Sequence, residues 1–145
     1  MAAGFTIAGP VPLGASQVRR DDVERLFKAA KCEAVIPQDR EDLDSHADVL
    51  LARDAHGKLV AAAVFMDVGR RRLWLDFLYV MPDRRRDGLA TALLEILHSI
   101  ARERGVAKIM CGVLMNNAAM TSLAARFEFQ PVALTFEHRI VRRAP

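Results

Sequence analysis

Arg72–Leu97 reads RLWLDFLYVMPDRRRDGLATALLEIL, and this stretch decides the fold. Leu73–Val80 is an almost wholly apolar run of strand length. Met81-Pro82 breaks it, because proline lacks the N–H that would continue a ladder. A charged loop follows. Leu89, Leu93, Ile96, Leu97 and Ile100 then recur at the spacing of one helix face. Gly88 lies where the loop passes into the helix. The first turn of a helix leaves backbone N–H groups without internal partners, and the macrodipole adds roughly +0.5 charge there. A glycine at that point lets a ligand approach the backbone closely. Strand, glycine turn and helix start together make an anion site suited to phosphate.

Outward in the C-terminal direction, the helix is expected to end near Gly105, after Arg102 and Arg104. Lys108–Met115 reads as the next strand. Val80, the helix and Lys108 then form a right-handed crossover between parallel strands. Such strands splay at their C-terminal ends and leave a crevice for a ligand. Asn117 or Asn116 caps a second amphipathic helix, with Ala119, Met120, Leu123 and Phe127 inward. Pro131–Val141 reads as a last strand, where Val132, Leu134 and Phe136 alternate with polar residues.

Outward in the other direction, Gly69-Arg70-Arg71 is a turn, and Val49–Ala55 and Leu59–Met66 form a hairpin about His56-Gly57. Val23, Leu26, Phe27 and Ala30 mark a first helix, with Asp21-Asp22 at its N-terminal end. Phe5–Leu13 is apolar but broken by Gly9-Pro10 and Pro12, and reads as a short edge strand and turn, since proline is tolerated at edges. Asp39–Asp48 holds five acids and one arginine. It reads as a solvated loop with a short helix turning Leu43 inward, or as an acidic flank that draws in a cationic amine. The expected architecture is α/β: a mixed sheet with helices on both faces, with residues 1–145 as a single domain.

Composition excludes several classes. Charged residues are 27% and hydrophobic residues 52%, the balance of a packed globule rather than a disordered chain. No apolar run approaches the ~20 residues that span a bilayer, and MAAGFTIAGP lacks a secretory pattern, so a cytoplasmic protein is expected. Cys32 and Cys111 are too few for a disulfide framework, and Cys111 reads as a reduced core residue. His46, His56, His98 and His138 show no metal-ligand spacing, so no metal is expected. His98 is placed on the polar side of the central helix, and His46 is a candidate second proton acceptor. The net charge is +3, with arginines clustered at Arg19-Arg20, Arg70–Arg72, Arg84–Arg86 and Arg142-Arg143. Aromatics are only 6% and do not interleave with these clusters, which disfavours nucleic acid as a partner. A phosphate-bearing cofactor accounts for Arg84–Arg86 more economically.

The stretch Arg85-Arg86-Asp87-Gly88-Leu89-Ala90 fits the pattern Arg/Gln-x-x-Gly-x-Gly/Ala, and Leu78-Tyr79-Val80-Met81-Pro82-Asp83 fits L-Y-V-x-P-D. Together they resemble motif A of the GNAT superfamily, the acetyl-CoA-dependent N-acyltransferases. The motif order can be followed over roughly the last two thirds of the chain. The resemblance implies a GNAT-like fold and acetyl-CoA as co-substrate. The pantetheine arm would pair with the backbone at Leu78, Tyr79 and Val80. The pyrophosphate would sit on the amides of Arg85, Arg86, Asp87, Gly88, Leu89 and Ala90, with Thr91 adding a hydroxyl. Asn117 would bond the pantetheine or cap its helix. The resemblance also implies a homodimer.

Asp76 interrupts the apolar strand, and a carboxylate there costs free energy unless it is paired or reaches water. Period-two alternation puts it on one face with Trp74, Leu78 and Val80, and puts Tyr79 on the other. Its partner is expected to be an arginine such as those of Arg70–Arg72, or a neighbouring backbone donor. Alternatively it is the catalytic base, since an alkyl amine of pKa near 10 must lose a proton before it attacks. Leu75–Val80 is similar to the Leu-Glu-Asp-Phe-Phe-Val stretch of spermidine/spermine acetyltransferases, with Asp76 at their Glu position. A second family signature, Asn-x-x-Ala-x-x-x-Tyr-x-x-x-Gly-Phe, meets NAAMTSLAARFEF at Asn117–Phe129. Asn117 and Phe129 match. Met120, Ala124 and Glu128 stand at the Ala, Tyr and Gly positions. In many relatives that tyrosine protonates the departing thiolate, which Ala124 cannot do. Ser122, Thr121 or a water is the substitute.

The expected function is transfer of an acetyl group from acetyl-CoA to a primary amine of a small molecule or a lysine-bearing protein. The amine attacks directly in a ternary complex, with Asp76 as base. The lost tyrosine leaves open a catalytically weak acyl-CoA-binding regulatory module, and the arginine clusters a nucleic-acid-binding domain.

Overall fold

The chain's structure is a computed structural model and describes residues 4–140. Its sheet has the strands in sequence order: β1 (Thr6–Pro12), β2 (Asp48–Arg53), β3 (Leu59–Asp67), β4 (Arg72–Val80) and β5 (Lys108–Cys111). β1, β2, β3 and β4 pair antiparallel in turn, and β5 runs parallel to β4. The helices are α1 (Gln17–Cys32), α2 (Leu89–Glu103) and α3 (Ala118–Arg126). A mixed α/β sheet with covered faces is therefore what forms.

Two cores lie on the two sides of the sheet. Val23, Leu26, Phe27 and Ala30 of α1 pack on Val49, Leu51, Ala62, Val64, Phe77 and Tyr79. Leu89, Leu93, Leu94 and Leu97 of α2, with Leu123 of α3, pack on Leu50, Ala63, Phe65, Leu73, Leu75 and Val80. Each wholly buried Leu or Phe contributes roughly 2 kcal/mol of transfer free energy. β3 is buried without interruption from Leu59 to Phe65, because helices cover both its faces.

β4 carries an irregularity with consequences. Val64 pairs with Phe77 and Phe65 with Leu75, so Asp76 is left without a partner on β3. This is a β-bulge, and it changes which way the strand's side chains point. Leu73 and Leu75 face α2, whereas beyond the bulge Phe77 and Tyr79 face α1. The expected grouping of Asp76 with Leu78 and Val80 is thereby corrected. Val80 packs in the α2 core with Leu78 against it, and Tyr79 is on the α1 side.

Several boundaries also differ from expectation. α1 begins at Gln17 with Ser16 as its cap, the Ser16 hydroxyl accepting from Arg19 N–H at 3.3 Å. Asp21 and Asp22 lie a turn further in; Asp21 accepts from Gln17 and Asp22 pairs with Arg53. The Asp39–Asp48 segment has no helix, although Leu43 does pack inward. β5 stops at Cys111 instead of Met115, because Gly112 brings no side chain to pack and the chain turns towards α3. Ala119 is exposed, and His98 is half-buried between Phe127 and Phe129 with Nδ1 2.8 Å from the Leu94 carbonyl. Residues 131–140 form no strand: Val132, Leu134 and Phe136 are 79–87% exposed. Alternation marks which side of a strand would be buried, but not that an edge is there to receive it. Val141 lies outside the described residues.

All three helices end in the same way. Ala34, Gly105 and Glu128 take left-handed φ angles of +59°, +67° and +63°. Each donates its N–H to a carbonyl three residues back (Lys31, Arg102 and Ala125), and the following residue bonds to Ala30, Ala101 and Ala124 respectively. These paired bonds close off carbonyls that a helix end would leave open. Glycine occupies one of the three positions.

Candidate active site

The parallel pairing of β4 with β5 covers only Arg72–Leu75 against Lys108–Cys111. Residues 76–80 run on with that edge uncovered. Met81 N–H donates to the Val60 carbonyl at 2.8 Å, which turns Met81 towards β3 and therefore Val80 and Leu78 towards the opening. Their main-chain groups form a short free edge able to take an extended, amide-bearing ligand.

The chain then makes a 3-10 turn at Pro82–Arg84 and reaches Gly88. Gly88 has φ +78°, a conformation that side chains with a Cβ adopt at a cost, and nothing lies within 4 Å of where its Cβ would be. The first intrahelical bond of α2 is Ala92 N–H to the Gly88 carbonyl at 3.0 Å. The amides of Leu89, Ala90 and Thr91 are thus left at the open end of the helix. Leu89 is buried, Ala90 and Thr91 are half-buried, and Arg86, Asp87 and Gly88 are exposed. The free edge, the glycine turn and the helix end are consecutive in the chain and open to one side.

Asp76 is on the α1 side of the strand. Its partner is Arg40, not a residue of Arg70–Arg72. One guanidinium nitrogen of Arg40 holds Asp76 Oδ2, and the other bonds the Asp76 carbonyl at 3.2 Å. Trp74 Nε1 donates to Asp76 Oδ1 at 3.3 Å. The Asp76 side chain is 11% exposed. Arg40 also lies over the Phe27 ring, 5.6 Å from its centroid.

A second carboxylate stands at the mouth of the opening. Arg85, the first residue of the loop pattern, extends across to Glu33 at the end of α1. Both terminal nitrogens bond the Glu33 carboxylate, one of them at 2.6 Å, and Nε donates to the Val80 carbonyl at 3.0 Å. The Tyr79 hydroxyl donates to the same carboxylate, and the Arg85 guanidinium stacks 5.3 Å from the Tyr79 ring centroid. The hydrogen bonds from Arg85, then that from Tyr79, hold the Glu33 carboxyl below its usual range. Burial, and next the Glu33 carboxylate, push the Tyr79 phenol well above its usual range. Phe27, Phe77 and Tyr79 lie in series between the two ion pairs, Phe27 edge-on to Phe77 with centroids 5.7 Å apart and Phe77 stacked on Tyr79 at 6.0 Å.

Asn117 caps α3, its side-chain oxygen accepting from Met120 N–H at 3.1 Å. The neighbouring Asn116 reaches 2.9 Å to the Ala34 carbonyl and ties the β5–α3 loop to the end of α1. Ala124 offers no side-chain donor, and its carbonyl accepts from Phe127 and Phe129. His46 is exposed beside Asp44. Of the acidic segment, Asp48 pairs with Arg104 at 3.4 Å. Cys111 is half-buried at the point where β4 and β5 part, and burial raises its thiol above the usual value. Among the described residues no group of three or more His, Cys, Asp or Glu side chains could hold a metal, and no helix is long and apolar enough to cross a membrane. Two shallow cavities, of about 370 and 480 Å³, lie along the outer side of α2 and share Glu95 and Ser99, away from the β4 edge.

The arrangement has two chemically distinct sides. One offers main-chain donors and acceptors for an extended ligand with phosphate groups. The other offers two carboxylates, each held by an arginine and an aromatic donor. Sequence reasoning located the first side and Asp76. It missed Glu33, Arg40 and the indole of Trp74, whose partners are set by how the end of α1 and the following loop cross the sheet.

Residues 17–129 match the family model described as Acetyltransferase (GNAT) family. Among solved structures, a ribosomal-protein-alanine N-acetyltransferase from Brucella melitensis is similar over 96% of this chain and 99% of its own, with 23% identity and a TM-score of 0.63. An aminoglycoside 6'-N-acetyltransferase from Acinetobacter baumannii is similar over 95% and 100%, with 18% identity and a TM-score of 0.65. A GNAT-family acetyltransferase from Staphylococcus aureus reaches a TM-score of 0.70 at 11% identity, over 85% and 82% of the two chains. At these identities the likeness is one of fold. A search of curated protein sequences found no match.

Proposed function

The chain belongs to the GNAT acetyltransferase family, and on that premise we propose that it is a cytoplasmic enzyme moving an acetyl group from acetyl-CoA to a primary amine. The observation that carries this reading is the free β4 edge at Leu78 and Val80, continuous with the open amides about Gly88. These groups fit an acyl-CoA: the edge suits the amides of a pantetheine arm, and the helix end suits its pyrophosphate. Arg86, exposed next to Gly88, would add positive charge at the same place.

Acetyl-CoA brings an activated thioester. The chain's own residues have three tasks. The main chain at Leu78 and Val80 orients the acyl end. The approaching amine forms a C–N bond as the C–S bond breaks, and its proton has to leave. Asp76 is the proposed acceptor of that proton, directly or through a water. For this it would exchange one of its two held donors, Arg40 or Trp74. With alanine at 124, the thiolate takes its proton from water or from Ser122 or Thr121. A thiol of pKa near 8.5 is a tolerable leaving group without a dedicated acid.

The acceptor is a small-molecule amine or a protein amine. The ribosomal-protein-alanine and aminoglycoside N-acetyltransferases among the neighbours suggest the first panel to screen: aminoglycosides and alanine-bearing peptides. A homodimer is also part of the proposal, because Val132, Leu134 and Phe136 present apolar surface that a second copy would cover; sedimentation equilibrium tests it.

A second reading is an acyl-CoA-binding regulatory module of little turnover. Ala124 and the doubly held Asp76 favour it. Calorimetric titration with acetyl-CoA tests the shared part of both. Wild type is expected to bind saturably. Gly88→Trp, which puts bulk into the space about Gly88, is expected to lose binding while keeping its circular dichroism. A wild-type protein that does not bind would sink both readings. Thiol release with the amine panel then separates them.

A further inference from the structure

We propose that Glu33 is a positioning residue of the acetyl-CoA site, acting through Arg85; the proposal rests on the acetyltransferase reading above. The loop from Met81 to Gly88 has few ties of its own. Outside its own 3-10 turn, its backbone bonds are Met81 to Val60, the internal pairs Arg84 to Met81 at 2.9 Å and Asp87 to Arg84 at 3.4 Å, and at its far end Ala92 to the Gly88 carbonyl at 3.0 Å. Arg84 reaches Asp54 only at 3.5 Å. The firm attachment is the Arg85 side chain, bonded to both Glu33 oxygens and to the Val80 carbonyl and stacked on Tyr79.

Glu33 is itself fixed from below. It caps the C-terminal end of α1, its N–H bonded to the Ala29 carbonyl at 3.0 Å, and α1 is anchored by Val23, Leu26, Phe27 and Ala30. The Tyr79 hydroxyl holds the carboxylate from the strand side. Rigidity therefore passes from the α1 core to Glu33, to Arg85, and so to the loop that carries the phosphate-binding amides. The bond from Arg85 Nε takes one lone pair of the Val80 carbonyl and leaves the other for a ligand N–H. Arg85 thus serves the site by being held away from the phosphates. A loop that is ordered in advance spares the ligand the entropy of ordering it.

The test is calorimetric titration of acetyl-CoA into wild type, Glu33→Gln, Arg85→Gln and the double variant, with Tm measured without ligand. Glu33→Gln keeps the size of the side chain and removes the charge. It is expected to weaken acetyl-CoA binding about tenfold, or about 1.4 kcal/mol, and to add nothing in the Arg85→Gln background. Tyr79→Phe, which removes only the hydroxyl that steadies Glu33, is expected to weaken binding two- to threefold, and it serves if Glu33→Gln folds poorly. Unchanged affinity with a lowered Tm would make Glu33 merely structural and overturn the proposal. Equal losses in both backgrounds would overturn the route through Arg85. Failure of wild type to bind would overturn the acetyltransferase reading itself, a result none of the variants can imitate.

Discussion

The two ion pairs on the α1 side of the sheet are built alike and placed differently. In each, a carboxylate is held by an arginine and by one aromatic donor, Trp74 for Asp76 and Tyr79 for Glu33. In each, the arginine also bonds a β4 carbonyl and lies over an aromatic ring. The Asp76 side chain is 11% exposed and Arg40 26%, whereas Glu33 is 30% and Arg85 40%. The inner pair sits where a bulge points a strand carboxylate at the packed face. The outer pair joins the end of α1 to the loop after β4 at the rim. Removing one member of an inner pair leaves a charge without compensation, while a rim pair is screened by solvent and holds geometry more than stability. The same chemistry is therefore proposed for different work: the inner pair to set the base at Asp76, the outer one to set the loop that carries Arg85.

The largest expected effect tests the inner pair. Asp76→Asn keeps the shape and removes the base. Turnover of a cognate amine should fall at least about 100-fold, with acetyl-CoA affinity unchanged by calorimetry. Turnover within a few-fold of wild type would make Asp76 structural and erase the functional half of the comparison. Next comes stability. Arg40→Ala should cost about 2 kcal/mol in urea unfolding, and Arg85→Ala less than about 1 kcal/mol. Equal losses would show that the two pairs are energetically the same.

The smallest effect is one of pH. Arg85 holds the Glu33 carboxyl below its ordinary value, so the pair's stabilisation is present above the ordinary carboxylate range and is lost as pH falls through the lowered one. The Tm difference between wild type and Glu33→Gln should be flat above about pH 6 and should shrink only in more acid solution. A difference that shrank near neutrality would mean that another group dominates the rim.

The strand–loop–helix at Arg72–Leu97 was legible because its signals agree: an apolar run, a breaker, a glycine and a helical period. The two helices on either side of β5 were legible for the same reason, with the cap of the second narrowed to Asn117 or Asn116. The bulge was not. Leu73, Leu75, Phe77 and Tyr79 are all buried at odd positions, so the alternation looks unbroken while the face changes between Leu75 and Phe77. For that reason the alternation predicts Tyr79 opposite Asp76, whereas both lie on the α1 side. Glu33 and Arg40 left no local trace, since they meet Tyr79 and Asp76 from 46 and 36 positions away. The alternation of residues 131–140 was real as a pattern but met no edge among the described residues. Local patterns report on local structure; partners across the sheet depend on where loops land.

The left-handed helix ends carry a consequence for how this chain could change over time. Ala34 and Glu128 hold a conformation that glycine enters freely and that costs other residues roughly 1 kcal/mol. Both positions are therefore unspent reserves. A lineage or a designer introducing glycine at either would gain tolerance for a substitution elsewhere that sacrifices stability for a new acceptor. Because Ala34 directly follows Glu33 and receives Asn116, the reserve nearest the β5–α3 loop and the proposed site is the one where such compensation would act most locally.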